Sequence, residues 1–436
     1  MNSIIKRKVF LVRIQFISPV SISSGENEWT DADVLRDFDG NPFIPGSSLA
    51  GAMRAYLNKK KTQPCLMGYS GAFSEGKMSS LYISDLNFDE KTVAGVRDGV
   101  KLNEKKVSVT EGKYDREVLE AGSKGHFYME LAVRQKDDEE QMEEELATVF
   151  RGINEGEIRL GGKKTRGFGK LAVVSLAVRT FDKNNYLEYA KAYREDAWEK
   201  RQDELDKWLQ GCAFQKRMIH VEVPLRLKGG ISVRQYAARK NEPDFTQLMD
   251  HGVPVIPGSS FAGAIRHRIQ EILGEITANG AKLPIAVQAL LDNAFGYVEG
   301  NGACVSNIII DEAEIEEARP LTIVRTGISR FEAAVRDGAL YKERTYVDGR
   351  LKLRAAVRIQ KNPEDTRWML GILLLALKDL QNGFLSVGGQ TAVGRGVFEP
   401  DGELRIDGKA GIEDGIISEM FRFSVTGIKG ENYEAF

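Results

Sequence analysis

Ile44-Pro45-Gly46-Ser47-Ser48-Leu49-Ala50-Gly51-Ala52-Met53-Arg54 returns later in the chain as Ile256-Pro257-Gly258-Ser259-Ser260-Phe261-Ala262-Gly263-Ala264-Ile265-Arg266. Only two positions differ, and each exchanges one apolar residue for another. The second copy begins about half a chain after the first, in a protein of 436 residues. Chance does not produce such a match in a sequence of mixed composition. The chain therefore reads as a tandem duplication in which each half is one domain of the same fold.

The phrase has a physical reading. Pro45 and Pro257 fix φ and end a strand. Gly46 and Gly258 allow a tight turn, and the serine pairs Ser47-Ser48 and Ser259-Ser260 are placed to cap a helix N-terminus. Arg54 and Arg266 follow two turns into that helix. Two uses fit: a structural strand–turn–helix corner, or a helix end whose free N–H groups and dipole receive a phosphate.

A second matching pair closes each half. Ile158-Arg159-Leu160-Gly161-Gly162-Lys163-Lys164-Thr165-Arg166-Gly167-Phe168-Gly169-Lys170 corresponds to Leu385-Ser386-Val387-Gly388-Gly389-Gln390-Thr391-Ala392-Val393-Gly394-Arg395-Gly396-Val397. Each reads as strand, glycine turn and strand. Glycine lets main chain approach a ligand closely, and Lys163, Arg166 and Arg395 supply charge for phosphate. The candidate anion-contact set is therefore Ser47, Ser48, Arg54, Gly161, Gly162, Lys163, Arg166, Gly167, Ser259, Ser260, Arg266, Gly388, Gly389 and Arg395.

These two motifs resemble those of the RAMP proteins of CRISPR effector complexes, in particular the backbone subunits of type III complexes. The tandem arrangement is most similar to the type III-D branch. Lys77 to Asp85 resembles the family's strand after its first helix. Val96 to Asn103 and Lys113 to Val118 resemble the segment carrying its protruding thumb, and Val324 to Arg330 with Ala339 to Arg344 answer in the second half. The resemblance implies an α+β protein of two tandem ferredoxin-like or RRM-like domains, each with a glycine-rich loop and a thumb hairpin. It places thumbs at 103–113 and 330–340.

Composition suits a large folded protein. Hydrophobic residues are 42% and charged residues 28%, which argues against disorder and a membrane class. Met1 to Lys6 lacks a signal-peptide pattern. Cys65, Cys212 and Cys304 are scattered and form neither a zinc motif nor a disulfide framework, so a reducing cytoplasm is expected. The net charge of −2 is low for a nucleic-acid binder, so any RNA surface must be local, with acid elsewhere as in Asp137-Asp138-Glu139-Glu140.

Lys8 to Phe16 alternates as a first strand, and Met218 to Leu225 opens the second half likewise. Tyr186 to Leu209, rich in Glu, Lys, Ala and Trp without Pro or Gly, reads as a charged helix. Gln141 to Phe150 and Trp368 to Asp379 read as the late helices. The expected domains are 1–184 and 217–436, joined by a helical linker at 185–216. Strand, helix, strands, helix, strand is the element order of a ferredoxin-like unit.

Each half has a polar loop after its first strand, from Ser21 to Asp37 and from Lys228 to Asp250. Asp31 and Asp244 lie in them, with Asp33 and Glu242 as near neighbours. Taken alone, an Asp in a polar loop is usually a cap or turn residue. The family resemblance implies that Asp31 and Asp244 are required for cutting target RNA, helped by a divalent ion, Mg2+ or Mn2+, whose ligands the sequence does not name. A carboxylate there can orient the attacking ribose 2′-OH. The implied partners are crRNA, target single-stranded RNA and other effector subunits, with no membrane. The alternative is a non-catalytic scaffold that binds guide RNA without cutting it. His126, His220, His251 and His267 show no metal spacing, and neither a Walker A motif nor a Ser/His/Asp set occurs.

Overall fold

The computed structural model describes residues 3–23, 30–58, 65–70, 76–89, 92–103, 107–199, 201–210, 214–236, 242–279, 283, 286–299 and 302–424. The chain divides into two compact units. The first holds Met1–Val100, Lys113–Lys164 and Phe168–Lys216, and the second holds Lys101–Gly112, Thr165–Gly167 and Arg217–Phe436.

In the first unit β1 (Ile4–Phe16) leads to α1 (Gly46–Asn58), β2 (Leu81–Ile83) and β3 (Leu86–Phe88). A long hairpin follows, β4 (Ala94–Leu102) with β5 (Ser108–Leu119), then β6 (Lys124–Arg134), α2 (Glu139–Asn154) and β7 (Leu171–Phe181). β1 lies between β7 and β6, and β6 continues to β2 and β3, all antiparallel. Side chains alternate along a strand. Phe10, Val12, Ile14 and Phe16 of β1 therefore share one face, where they meet Met53, Leu146 and Phe150 from the two helices. Asp138 accepts the Gln141 amide to cap α2, and Glu139 pairs with Lys6 and Lys8. The acidic run thus serves a helix start, where the dipole favours it.

Val9 and Leu11 on the opposite face are buried too, by the segment after β7. That segment was expected to be one charged helix. It forms instead 3-10 turns at Tyr186–Lys191 and Glu195–Ala197 and a short α3 (Leu205–Gln210), and it belongs to the first unit. Tertiary contacts override propensity here. Tyr189 and Tyr193 both donate to Glu130 Oε2 at 2.5 Å, Arg7 pairs with the same carboxylate, and Trp198 is 4% exposed with its Nε1 on Ala192 O. A straight helix would carry only one stripe to the sheet. The folded-over segment spreads its aromatic rings across it. Burial and the hydrogen bond to Glu130 raise the Tyr193 phenol, so it stays a donor at every physiological pH.

The second unit repeats the plan with β8 (Met218–Lys228), β9 (Phe245–Gln247), α4 (Gly258–Ala278), α5 (Val287–Phe295), β10 (Ile308–Ile310), β11 (Arg319–Arg325), β12 (Tyr341–Val347), β13 (Arg350–Arg358), α6 (Pro363–Gln381), β14 (Val397–Pro400), β15 (Arg405–Ile406) and α7 (Glu413–Ser424). β8 sits between β13 and the short strands β14 and β15, and β10 flanks β13. Its core joins Val223, Leu225, Leu353 and Val357 of the sheet to Phe261, Ile265, Leu373 and Leu377 of the helices. Both late helices run longer than their apolar patterns, because Asp138 and Asn362 cap them further upstream.

In the first half β5 begins at Ser108, so most of the stretch expected to protrude at 103–113 is strand, and residues 104–106 lie outside the described residues. In the second half β11 and β12 pair antiparallel, and 326–340 connect them through an Ile328–Val335 bridge.

Trp198→Ala should cost the first unit about 3 kcal/mol, the usual scale for a buried aromatic. Urea unfolding followed together with limited proteolysis should show a lowered midpoint and new cuts between residues 182 and 210. Proteolysis unchanged in that span would contradict docking of the segment through Trp198.

Candidate functional site

Three stretches far apart in sequence meet beyond the end of β1. Val20 exchanges backbone hydrogen bonds with Leu119 of β5, at 2.8 and 2.9 Å. Ser21 O then accepts the Gly162 amide at 2.9 Å. The glycine turn approaches this closely because Gly161 holds φ +79°, where a Cβ would overlap Ser21 O. No other residue type fits that position.

The acid loop runs along β5 with a period of two. The Asp31 amide donates to Asp115 Oδ1 at 3.0 Å, and Asp31 Oδ2 accepts the Asp115 amide at 3.0 Å. At the next loop residue and two residues on along β5, Ala32 O accepts the Glu117 amide, while Glu117 takes the Val34 amide and pairs with Arg36. Asp31 is exposed and one oxygen of each aspartate stays outside this exchange. Asp33 is 8% exposed and is engaged by the Thr30 hydroxyl, so Asp31 is the carboxylate that faces solvent.

Beside the glycine turn, Lys163 Nζ sits 3.8 Å from the centre of the Tyr114 ring, and Arg116 Nη1 donates to Ser21 Oγ. Burial, then repulsion from Arg116, lowers the Lys163 ammonium to about 8. Lys163 itself has φ +51°, a left-handed conformation that Gln390 shares at +58° in the second half.

The second half makes the same bonds. Ser232 O accepts the Gly389 amide at 2.7 Å, and Asp244 Oδ2 accepts the Lys342 amide at 2.8 Å. Asp244 is exposed and thus plays the backbone role of Asp31, with Lys342 where Asp115 stands. The charges differ. Glu343 replaces Arg116; it is 1% exposed, accepts from Ser232 Oγ at 2.8 Å and lies 3.8 Å from Arg234 Nε. Gln390 replaces Lys163. The first turn therefore carries two cations, and the second a buried anion and an amide.

Several expected anion contacts lie elsewhere. Both helices begin directly after proline, at Gly46 and Gly258, so Ser47, Ser48, Ser259 and Ser260 are in the first turn and do not cap it. The Gly46 amide is met by Asp85 Oδ1 at 2.7 Å, so a carboxylate already occupies the anion position at the start of α1. Arg54 is exposed on α1, while Arg266 pairs with Asp292 at 3.6 Å. Arg166 is counted with the second unit, where Nη2 donates to Phe295 O at 3.3 Å. Arg395 is 6% exposed and donates to Thr345 Oγ1 at 3.1 Å. Leu160 and Val387 each donate to Gly169 O and Gly396 O, which aligns Arg395 with buried Phe168 and removes it from the turn's surface. Gly161, Gly162, Lys163, Gly388 and Gly389 do face the acid-loop segments, and Gly167 is buried. Asp115, Arg116, Glu117 and Glu343 belong to the site and were not singled out from sequence. Their only signal was a polar strand directly after the predicted hairpin.

Among the described residues no group of three His, Cys, Asp or Glu is placed to hold a metal ion. Mg2+ keeps several waters and accepts one or two carboxylates plus substrate phosphate. Asp31 and Asp115 fit that pattern. Asp244 meets the backbone of Lys342 where Asp31 meets Asp115.

A family model for the RAMP superfamily matches residues 13–172 and 220–399. The chain belongs to the RAMP superfamily, and it carries the domain twice. It is also similar to the CRISPR system Cms endoribonuclease Csm3 of Streptococcus thermophilus, at 32% identity over 171 residues, covering 34% of this chain and 77% of that protein. The matched ranges of this RAMP chain each contain one acid loop, one hairpin and one glycine turn. No helix among the described residues is long and apolar enough to cross a membrane.

The Lys163 charge has a measurable cost. The folded chain holds that proton less tightly than the unfolded chain between pH about 8 and 10.5, so stability rises with pH across this window and the full penalty is present below it. Lys163→Met should therefore unfold at higher urea than the parent at pH 7, with the gap closing toward pH 10.5. A gap that widens with pH would show that Lys163 is not desolvated.

Proposed function

We propose that this protein is a backbone subunit of a type III CRISPR RNA-guided effector complex, binding crRNA and cutting complementary target RNA at the acid loop of each half. One observation carries the reading: the same bond is built twice. In both halves an exposed loop aspartate accepts a backbone amide from the strand that leaves the hairpin, beside a glycine turn anchored on a serine carbonyl. Membership of the RAMP superfamily and similarity to an endoribonuclease support it. In each unit the sheet has the order fourth, first, third, second strand, which supports a ferredoxin-like arrangement.

The chemistry follows from the chain's own groups. A bound target would lie with one phosphate beside Asp31. The carboxylate takes the proton of the adjacent ribose 2′-OH, whose oxygen attacks phosphorus and expels the 5′-oxygen; that oxygen gains a proton from solvent, and Asp31 gives its own back to solvent. The products are a 2′,3′-cyclic phosphate and a 5′-hydroxyl, and no water is consumed. The paired amide bonds hold the carboxylate before substrate arrives, so little ordering remains to be done at the reaction step. A divalent ion shared by Asp31, Asp115 and substrate phosphate would stabilise the charge developing on phosphorus. Lys163 and Arg116 would meet the backbone of the guide in the first half. The hairpins β4–β5 and β11–β12 would act as thumbs that displace a nucleotide and open the backbone at the cut.

Asp31→Ala should remove one of two cuts and Asp244→Ala the other. Each loss should be at least about 100-fold, the lower end for a positioned general base, with guide binding little changed. Gel analysis of end-labelled target in the assembled complex measures this. Both cuts surviving in the double variant would make Asp31 and Asp244 cap or turn residues and refute the catalytic assignment. A 2′-deoxy substitution at either cut position should block that cut alone.

Asp115→Asn should raise the Mg2+ concentration needed for the first cut several-fold and leave the second unchanged. An equal shift at both cuts would mean that Asp115 has no part in holding the ion.

A further inference from the structure

The two sheets differ on the face turned away from their helices. In the first, Val9, Leu11 and Phe181 on that face are covered by the chain's own Tyr186–Trp198 segment. In the second, the face of β13 turned away from the helices carries Arg350, Lys352 and Arg354, all exposed, with Arg405 exposed on β15. These positions alternate with buried Leu351, Leu353 and Ala355, so they form one row on one face. Arg226 on β8 stands between Arg350 of β13 and Glu399 of β14, and Glu222 faces both Arg354 and Arg405.

This face is overcharged for a merely solvated one. Like charges directly opposite each other destabilise a sheet. Arg226 Nε is buried without a hydrogen-bond partner. Arg354 reaches Glu222 at 3.4 Å, and Arg350 reaches Glu317 and Asp401 only at 3.7 Å. Glu222, Glu399, Glu317 and Asp401 stand among Arg226, Lys228, Arg350, Lys352, Arg354 and Arg405, so the row keeps a positive excess in a protein whose net charge is −2. The row also has a direction. It starts at Arg226 and Lys228, just before Gly230, whose carbonyl accepts the Gly396 amide beneath the second glycine turn. From there it runs away from the turn along β13.

We infer that this open face binds the sugar-phosphate backbone of single-stranded RNA, as a sequence-independent track for RNA leading away from the second acid loop. The inference rests on the RNA-binding reading above. Regularly spaced cations on a flat, exposed strand suit a repeating phosphate chain, and they supply no pocket that would read a base.

The test uses the full-length protein and a fluorescein-labelled 30-nucleotide oligouridylate, titrated at several salt concentrations. Lys352→Glu/Arg354→Glu/Arg405→Glu should bind at least 10-fold more weakly and lower the salt slope by about 2, since each lost phosphate contact on a single strand contributes about 0.7. The Gln triple variant, which keeps the row neutral, should fall between. In the wild type, 4-thiouridine RNA should cross-link to the peptide 350–358. Wild-type affinity and slope in the Glu variant, with binding still lost in Lys163→Glu, would overturn the track and leave the loop reading standing. No RNA binding by the wild type would overturn both. Binding of polyglutamate to this face with RNA unaffected would make it a protein-docking surface and overturn the inference.

Discussion

One backbone hydrogen bond organises each half: a glycine amide donating to a serine carbonyl, Gly162 to Ser21 and Gly389 to Ser232. Together with the Gly169 amide on Pro19 O and the Gly396 amide on Gly230 O, it ties the glycine turn to the strand end and gives the acid loop its second boundary. The bond demands close main-chain approach, and Gly161 and Gly388, both at positive φ and facing the serine carbonyls, permit it. Everything with chemical potential in the molecule is measured from this clamp. The acid loop enters on one side of it, and the hairpin strand that receives the loop aspartate leaves on the other.

Duplication kept this frame and changed its charge. Backbone partners are the same in both halves, whereas the side chains beneath the turns went from Arg116 and Lys163 to Glu343 and Gln390. Backbone bonds are set by geometry and survive most substitutions. Side-chain charge is free to drift or to be selected. Two halves that look alike in motif therefore differ in the charge beside the glycine turn and, through Asp115 against Lys342, in the charge beside the loop aspartate.

The low net charge hides a partition of roles. Acid is spent locally, on the α2 cap, on Asp85 at the start of α1, and on Glu130 under the tyrosines of the folded-over segment. Base is left exposed on the second sheet's open face. A formal sum over the chain averages these regions, and an electrostatic argument for a nucleic-acid partner must be made patch by patch.

Much of this architecture could be read from residues in order. The repeated Ile-Pro-Gly-Ser-Ser phrase and the paired glycine turns announce duplication, and alternation marks the first strand of each half, because these features are local and periodic. Asp31 and Asp244 stood out as loop acids by position. The sequence could not reveal that Tyr186 to Leu209 folds over a sheet face, since its charged composition favours helix and only Glu130 and the apolar face of β1 make the other conformation worthwhile. Nor could it reveal that Arg395 is buried in the place of Phe168 while half-buried Lys163 lies against Tyr114, because burial at each position of a glycine turn is set by segments far away in sequence. It did not show Asp115 meeting Asp31 across 84 positions. Local pattern determines which elements form. Contacts between distant segments decide which polar side chains are spent inside the fold and which remain for a ligand, because that choice depends on burial and hydrogen-bond supply at each site.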